Sequence, residues 1–179
     1  MNRHPDVELL TSRSIHRGAA FEVLLESLRL PSGLELRALV VDQPHDAVAV
    51  AARFENGEML IVRQYRHAVG DWLLEIPAGR LDPGESPLEA ARRELEEETG
   101  YRARSWRDLG RFVLAPALCT ERMTLFLAED LEPAGPDRRS PDADEELAVL
   151  RTHPRELLRS GLLDAKTQLA AAHLALMEA

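Results

Sequence analysis

The sequence predicts a mixed α+β fold, and three observations support this prediction. Runs of β-type residues bounded by turn residues fill the first half of the chain, and a helix with clear start and end signals lies near its middle. A strongly helical apolar pattern closes the chain. Strands on both sides of a central helix favour helices packed on a mixed sheet, with an antiparallel hairpin or sheet as an N-terminal extension.

The first half of the chain reads as strands joined by short turns. Pro31-Ser32-Gly33 has hairpin turn chemistry, and Asn56-Gly57 predicts a second hairpin. The β-type runs that these turns and the later loops separate are residues 21–30, 34–41, 47–54, 59–64 and 72–76. We expect residues 1–45 to form the N-terminal β extension and residues 46–179 to form the main domain.

The central helix is defined at both ends. Ser86 is a good N-cap, Pro87 suits the first helical position, and Glu89 falls where a capping box requires it. Gly100 supplies the left-handed residue that commonly ends a helix. The sequence therefore predicts a helix from about residue 87 to Thr99.

The last third of the chain predicts further strands and two helices. Gly161 separates two helical patterns, and a Pro-, Asp- and Arg-rich stretch at 132–143 reads as a loop. The predicted strands cover residues 108–114, 123–129 and 147–151, and the predicted helices cover residues 154–160 and 164–178.

Composition and charge exclude several classes of protein. The chain has 179 residues, of which 45% are hydrophobic and 30% charged, and its formal net charge is −9. This is the composition of a globular domain, and an acidic surface argues against nucleic acid as a partner. The opening residues lack the pattern of a signal peptide, and the longest apolar run, residues 47–52, is too short to cross a membrane. We therefore expect a cytoplasmic protein with no membrane partner.

Other common catalytic arrangements are missing from the sequence. The single cysteine, Cys119, has neither a nucleophile signature nor a second cysteine to pair with. The six histidines are scattered singly, which argues against zinc. No phosphate-binding GxxxxGK[ST] loop and no strand-linked GxGxxG occurs.

The central helix carries its acidic residues on one face. Glu94, Glu97 and Glu98 have the spacing i, i+3, i+4, so their side chains share a stripe beside the apolar stripe that contains Leu95. Like charges at this spacing repel. Carboxylate oxygens are the ligands that Mg²⁺ and Mn²⁺ prefer, so a divalent cation would offset the repulsion.

The residues around this helix form a motif. The pattern Gly-x5-Glu-x7-Arg-Glu-U-x-Glu-Glu-x-Gly-U, with U usually aliphatic, is matched at Gly79, Glu85, Arg93, Glu94, Leu95, Glu97, Glu98, Gly100 and Tyr101. Its seven fixed residues, each with a frequency of roughly 7%, would coincide by chance with a probability on the order of 10⁻⁸ per window. It closely resembles the signature of the Nudix hydrolases and so implies their α/β/α sandwich with a mixed sheet. Tyr101 is aromatic where an aliphatic residue is commoner.

From residue 47 onwards the chain looks most like the ADP-ribose pyrophosphatase group of that family. The segment IVRQYRHAVGDWLLEIPAGRLDPGE leads into the motif in the manner of the group, and Pro116 lies 16 residues after Gly100, where the group usually has a proline. Ala115, Ala117 and Leu118 depart from the commoner Ser, Gly and Phe of that stretch.

The resemblance implies roles for individual residues. Arg93 would hold the carboxylates by ion pairing, and Glu97 would take part in catalysis as well as in metal binding. The metal ligands that the resemblance implies are the Ala78 carbonyl, Glu85, Glu94, Glu97 and Glu98, with Mg²⁺ as the cofactor and Mn²⁺ as a substitute.

The resemblance also implies a general base and substrate contacts. The base is expected at Glu145 in the acidic loop, with Glu97 and Glu146 left open as alternatives. The expected substrate-binding residues are Arg66, Asp82, Pro116 and Glu121.

The implied activity is hydrolysis of the pyrophosphate bond of a small nucleoside diphosphate derivative. For ADP-ribose the expected products are AMP and ribose 5-phosphate. A nucleotide-sugar pyrophosphatase, for example one acting on GDP-mannose, and a non-catalytic nucleotide-sensing domain remain as alternatives. A homodimer joined through the N-terminal extension is also expected.

Overall fold

The computed structural model describes residues 4–136, 146–161 and 163–177. The chain divides into two compact units, one formed by Met1–Asp46 with Val113–Arg122 and the other by Ala47–Phe112 with Met123–Ala179. No helix in the described ranges is both long and apolar enough to cross a membrane.

The N-terminal unit contains a three-stranded antiparallel sheet. The strands β1 (Glu8–Arg17), β2 (Glu22–Arg29) and β3 (Glu35–Asp42) lie in the order β1-β2-β3. The β2–β3 hairpin was predicted, and Gly33, with φ of 85°, makes its turn. β1 was not predicted because its sequence, ELLTSRSIHR, is mostly polar and lacks the alternation that marks a half-buried strand.

The second unit contains two further sheets. One has four strands in the order β7-β4-β9-β8, and within it β4 pairs antiparallel with β7 and parallel with β9. The other has three strands in the order β10-β5-β6. The bounds are β4 Ala47–Ala52, β5 Met59–Arg66, β6 Asp71–Glu75, β7 Ala78–Arg80, β8 Tyr101–Val113, β9 Arg122–Pro133 and β10 Ala148–Thr152.

The predicted hairpin at Asn56-Gly57 is wrong in its pairing. The turn itself forms, since the Gly57 N–H donates to the Phe54 carbonyl at 3.0 Å. Beyond a single bridge between Arg53 and Met59, however, β4 and β5 enter different sheets. Both strands open with buried apolar runs, which are typical of strands covered on both faces, and a local turn signal does not specify which neighbour such a strand takes.

The central helix matches its prediction. Helix α1 (Pro87–Thr99) has the capping box between Ser86 and Glu89, and Gly100 ends it in the left-handed conformation with φ of 71°. Its apolar face packs on the four-stranded sheet. The buried cluster that joins helix and sheets contains Val48, Val50, Ala52, Leu60, Ala90, Ala91, Leu95, Phe126 and Ala128.

Two helices follow the last strand. Helix α2 (Pro154–Leu157) is shorter than predicted, and helix α3 (Ala165–Met177) is close to its predicted bounds. The predicted loop at 132–143 begins two residues too early, since β9 extends to Pro133, and residues 137–143 lie outside the described ranges. The mixed α+β class is confirmed.

Candidate functional site

Arg93 lies at the centre of the acidic residues. Its Nε and Nη2 donate to the two carboxylate oxygens of Glu85 at 3.0 and 2.9 Å. Its Nη1 donates to Glu94 at 2.8 Å and to Glu97 at 3.0 Å. Its Nη2 also donates to the Arg80 carbonyl at 2.8 Å. One guanidinium therefore pairs with three carboxylates of the motif.

This arrangement is partly buried and remains negative. The side chain of Arg93 is 13% exposed, and hydrogen bonding to Glu85, together with the charge of Glu94 and hydrogen bonding to Glu97, raises its pKa. A single positive charge faces three carboxylates, so the cluster keeps a net negative charge. Such a cluster attracts a divalent cation.

The backbone of β7 passes directly over the carboxylate of Glu94. A Cβ placed on Gly79 would lie 1.9 Å from the Glu94 Oε1 and 2.2 Å from its Cδ. Glu94 itself is buried, with 8% of its surface exposed. The motif requires glycine at this position because any side chain would occupy the space that the carboxylate now fills.

Glu98 lies one helical turn further along and contacts the neighbouring residue of the same strand. The Ala78 N–H donates to the Glu98 Oε2 at 3.2 Å, and Glu98 is 6% exposed. The structure thus brings together Ala78 and Glu98, two of the predicted metal ligands, at the start of β7.

The residues of the motif fit a divalent cation in their chemistry. All the side-chain donors are carboxylate oxygens, two of them on buried glutamates, and Gly79 leaves room for one of these. Within the described ranges no group of three or more His, Cys, Asp or Glu side chains is already arranged as a metal site. Arg93 donates to one oxygen each of Glu94 and Glu97, so these carboxylates need not leave Arg93 in order to bind a cation.

Arg66, a predicted substrate contact, is held by Glu75, for which the sequence predicted no role. Its Nε and Nη2 donate to the two oxygens of Glu75 at 2.6 and 2.8 Å. Burial alone would raise the pKa of Glu75, but the hydrogen bonds from Arg66 and the attraction of Lys166 outweigh it and lower the pKa to about 2. The Glu75 carboxylate is therefore ionised although it is only 2% exposed.

Lys166 completes this second cluster. Its Nζ donates to the carboxylates of both Glu75 and Asp164. The pKa of Arg66 is raised, first by its hydrogen bond with Glu75 and also by the charges of Asp164 and Glu98. Arg66 therefore lies within electrostatic reach of Glu98, a predicted metal ligand. We refer to Arg66, Glu75, Asp164 and Lys166 as the Glu75 cluster.

A sequence signal for the Glu75 cluster existed. Glu75 lies two residues after Leu73 on a strand, so its carboxylate shares the inward face with that apolar side chain. Lys166 is the only lysine in the chain and lies at the start of an apolar helix. A buried charge usually has a partner of opposite sign, but the sequence does not reveal that these two residues meet.

The remaining predicted site residues are Asp82, Pro116, Glu121, Glu145 and Glu146. Asp82 is exposed, with its carboxylate 3.7 Å from the Arg93 Nε. Pro116 and Glu121 lie in the segment that groups with the N-terminal unit, so their roles stay predictions. Glu145 lies outside the described residues. Glu146, with which the description of the chain resumes, is exposed.

Comparison with known proteins gives a consistent result. A family model described as NUDIX domain matches residues 43–176, which include every predicted metal ligand. An ADP-ribose pyrophosphatase of Bacillus subtilis is 34% identical over 174 residues, covering 95% of this chain and 93% of that protein. One of Mycobacterium tuberculosis is 38% identical over 141 residues, covering 78% of this chain and 68% of that protein. The solved structure of an ADP compounds hydrolase covers 99% of this chain and 96% of its own, with a TM-score of 0.84 at 24% identity.

Proposed function

The chain belongs to the NUDIX domain family as an ADP-ribose pyrophosphatase-like hydrolase, and on that basis we propose that it hydrolyses ADP-ribose to AMP and ribose 5-phosphate with Mg²⁺. The observation that carries this proposal is the set of motif carboxylates gathered around Arg93 beside the glycine backbone of β7. The two ADP-ribose pyrophosphatases above support the substrate, since each is more than 30% identical to this chain.

The chain's own residues would bind and orient the reactants. Glu94, Glu97, Glu98 and the Ala78 carbonyl would hold the cation, Glu85 would assist, and Arg93 would keep the carboxylates in place through its planar fork. When bound, a divalent cation neutralises diphosphate oxygens and lowers the pKa of the attacking water. Mn²⁺ is expected to substitute because it also prefers oxygen ligands.

The reaction itself is an exchange of bonds at one phosphorus. Water adds to the phosphorus, the bridging P–O bond breaks, and a carboxylate takes the proton of the water, an effect typically worth about 10²- to 10⁴-fold. We propose Glu145 as this base, because it lies in the acidic loop, with Glu97 and Glu146 as alternatives. The Glu97 carboxylate accepts a hydrogen bond from Arg93 at 3.0 Å, which competes with the role of base.

Arg66 is the one proposed substrate contact that carries a positive charge. Its side chain is 42% exposed, so its guanidinium is open to a diphosphate from solution. Asp82, Pro116 and Glu121 are proposed as further contacts to the substrate.

A direct assay tests the proposed activity. The purified chain is incubated with Mg²⁺ and ADP-ribose, and AMP is measured; Glu98→Gln is expected to lower kcat by at least about 10²-fold, because a neutral amide replaces a metal-binding carboxylate. The matched control is Glu96→Gln, on the same helix, whose carboxylate instead pairs with Arg102 at 2.7 Å. Binding of ADP-ribose without turnover by the unmutated chain would instead indicate a nucleotide sensor.

The substrate is decided by a panel. ADP-ribose, GDP-mannose, ADP-glucose, NADH and a diadenosine polyphosphate are compared by kcat/KM, which measures discrimination between substrates directly. The proposal requires the largest value for ADP-ribose, and a larger value for GDP-mannose would assign the chain to the nucleotide-sugar pyrophosphatases.

We also propose that residues 1–45 form a dimerisation extension for the domain formed by residues 46–179. The N-terminal unit exposes large apolar side chains, with Leu34 59%, Leu39 52% and Ile15 48% exposed. A monomeric mass in sedimentation equilibrium at micromolar concentration would contradict the homodimer, and Leu39→Ser is expected to weaken it.

A further inference from the structure

We propose that the Glu75 cluster is a positioning device: Lys166 and Asp164, at the start of α3, hold Glu75 so that it fixes the guanidinium of Arg66 towards the substrate site. The inference rests on the proposed function in one respect, namely that Arg66 contacts the diphosphate derivative. The geometry of the cluster itself stands independently of the substrate.

The first step is the way in which Glu75 holds Arg66. Two of the three guanidinium nitrogens donate to the two Glu75 oxygens at 2.6 and 2.8 Å, a fork geometry that fixes both the position and the plane of the group. Glu75 is 2% exposed, whereas the Arg66 side chain is 42% exposed. One side of the guanidinium is thus anchored in the interior. Among the residues that the structure describes, none accepts from Nη1, which leaves its donors for an anion from solution.

The second step is the way in which Glu75 is itself held. Lys166 is 6% exposed and donates to Glu75 and Asp164 together. It is the only lysine in a chain that otherwise uses arginine for its permanent cations. A compact ammonium with three donors can bridge two carboxylates in a confined space where a planar guanidinium would not fit as well.

The third step is the attachment of this cluster to the backbone near the motif. Residues 74–76, at and just after the end of β6, are held by residues 163–167, just before and at the start of α3. Leu74 forms a bridge with Leu163, Glu75 accepts from Lys166, and the Ile76 N–H donates to the Thr167 hydroxyl at 2.9 Å. Two residues later the chain reaches Ala78, which contacts Glu98. The residues around the start of α3 therefore hold both Arg66, through Glu75, and the segment that leads from β6 to Ala78.

A double-mutant cycle tests the proposal with the full chain and Mg²⁺. If Glu75 acts through Arg66, Glu75→Gln is expected to raise KM for ADP-ribose about 10-fold with kcat changed less than about 3-fold, since the cation that binds the substrate loses its orientation. In an Arg66→Ala background the same substitution should change KM less than about 2-fold. An effect of equal size in both backgrounds would overturn the positioning role.

A matched control separates positioning from general destabilisation. Glu129→Gln removes another Arg–Glu pair, with Arg53, elsewhere in the same unit; the Glu129 side chain is 33% exposed. It should leave KM unchanged at temperatures where both variants remain folded. An equal rise in KM for Glu129→Gln would show that loss of any such pair produces the effect and would refute the proposal.

A second readout does not depend on catalysis. Because Lys166 is the only lysine, ¹⁵N-lysine labelling gives a single side-chain ammonium resonance in NMR spectra. We expect this resonance to be protected from solvent exchange and to shift on both Glu75→Gln and Arg66→Ala. If the chain turns over no nucleoside diphosphate derivative, the proposed function fails. The resonance would still show whether Lys166 is held in the Glu75 cluster. A resonance that exchanges rapidly and ignores both substitutions would overturn the inference.

Discussion

Gly79→Ala should impair the site while leaving the fold nearly intact. The added Cβ would lie 1.9 Å from the Glu94 Oε1, whereas Cβ atoms essentially never approach other heavy atoms closer than 3.0 Å. The backbone of Gly79 is held by its pairing with Val48 in the four-stranded sheet. The carboxylate, at the end of a flexible side chain, will therefore move rather than the strand, by about 1 Å.

A shift of this size is large for a metal ligand. Metal–ligand distances are held to within about 0.2 Å, and a misplacement of about 1 Å can lower a rate by about 10²-fold. The displaced Glu94 would also leave its 2.8 Å ion pair with Arg93. We therefore expect a loss of about 10²-fold in kcat/KM and a rise in the Mg²⁺ concentration that gives half-maximal activity. The melting temperature should fall by only a few degrees.

The assay is AMP release from ADP-ribose over a series of Mg²⁺ concentrations, with thermal unfolding measured in parallel. Gly18→Ala is the matched control, because a Cβ there meets its nearest neighbours at 3.4 and 3.5 Å and the backbone has no left-handed φ. Activity and Mg²⁺ dependence within two-fold of the unmutated chain would refute the steric argument. So would a melting temperature that collapses, since it would mean that the strand and not the carboxylate had moved.

Three further predictions concern stability. Leu95→Ala, at a fully buried position of α1, should lower the free energy of unfolding by about 2–5 kcal/mol in urea titrations. Gly100→Ala should cost about 1–2 kcal/mol in the same assay, because its φ of 71° is left-handed. The pKa of Glu75 is lowered from 4.5 to about 2 in the folded chain, so the ionised carboxylate stabilises the fold. This contribution is complete above pH 4.5 and is lost as the pH falls from 4.5 to 2. We therefore compare the free energy of unfolding of the unmutated chain with that of Glu75→Gln. The pH-dependent part of the difference should be on the order of 3 kcal/mol at neutral pH and should vanish as the pH falls over that interval. A difference that stays constant would contradict the ionised state of Glu75.

What the sequence predicted well depends on contacts between residues close in the chain. The capping box of Ser86 and Glu89 and the end of α1 at Gly100 involve residues within one turn of each other, and both are found as predicted. The acidic stripe also follows from helical spacing alone, and Arg93 lies four residues from Glu97 within it. These features needed only the period of a helix.

What the sequence did not predict depends on contacts between distant residues. Glu75 and Lys166 are 91 residues apart and belong to different elements, so neither residue's local pattern reveals the pair. The turn at Asn56-Gly57 was recognised, but the partners of β4 are β7 and β9, which only tertiary packing selects. Gly79 was recognised as a motif position, while its contact with Glu94 required the strand and the helix to be placed together.

The contacts of Arg93 separate the roles of the acidic residues that the motif treats alike. Arg93 bonds both oxygens of Glu85 but only one oxygen each of Glu94 and Glu97. Glu98 is positioned instead by the Ala78 N–H. Two parallel hydrogen bonds to one carboxylate fix the plane of a guanidinium as well as its position. We therefore propose that Glu85, which accepts from Arg93 through both oxygens, acts chiefly as the anchor that orients Arg93, while the glutamates of α1 serve as the cation's side-chain ligands.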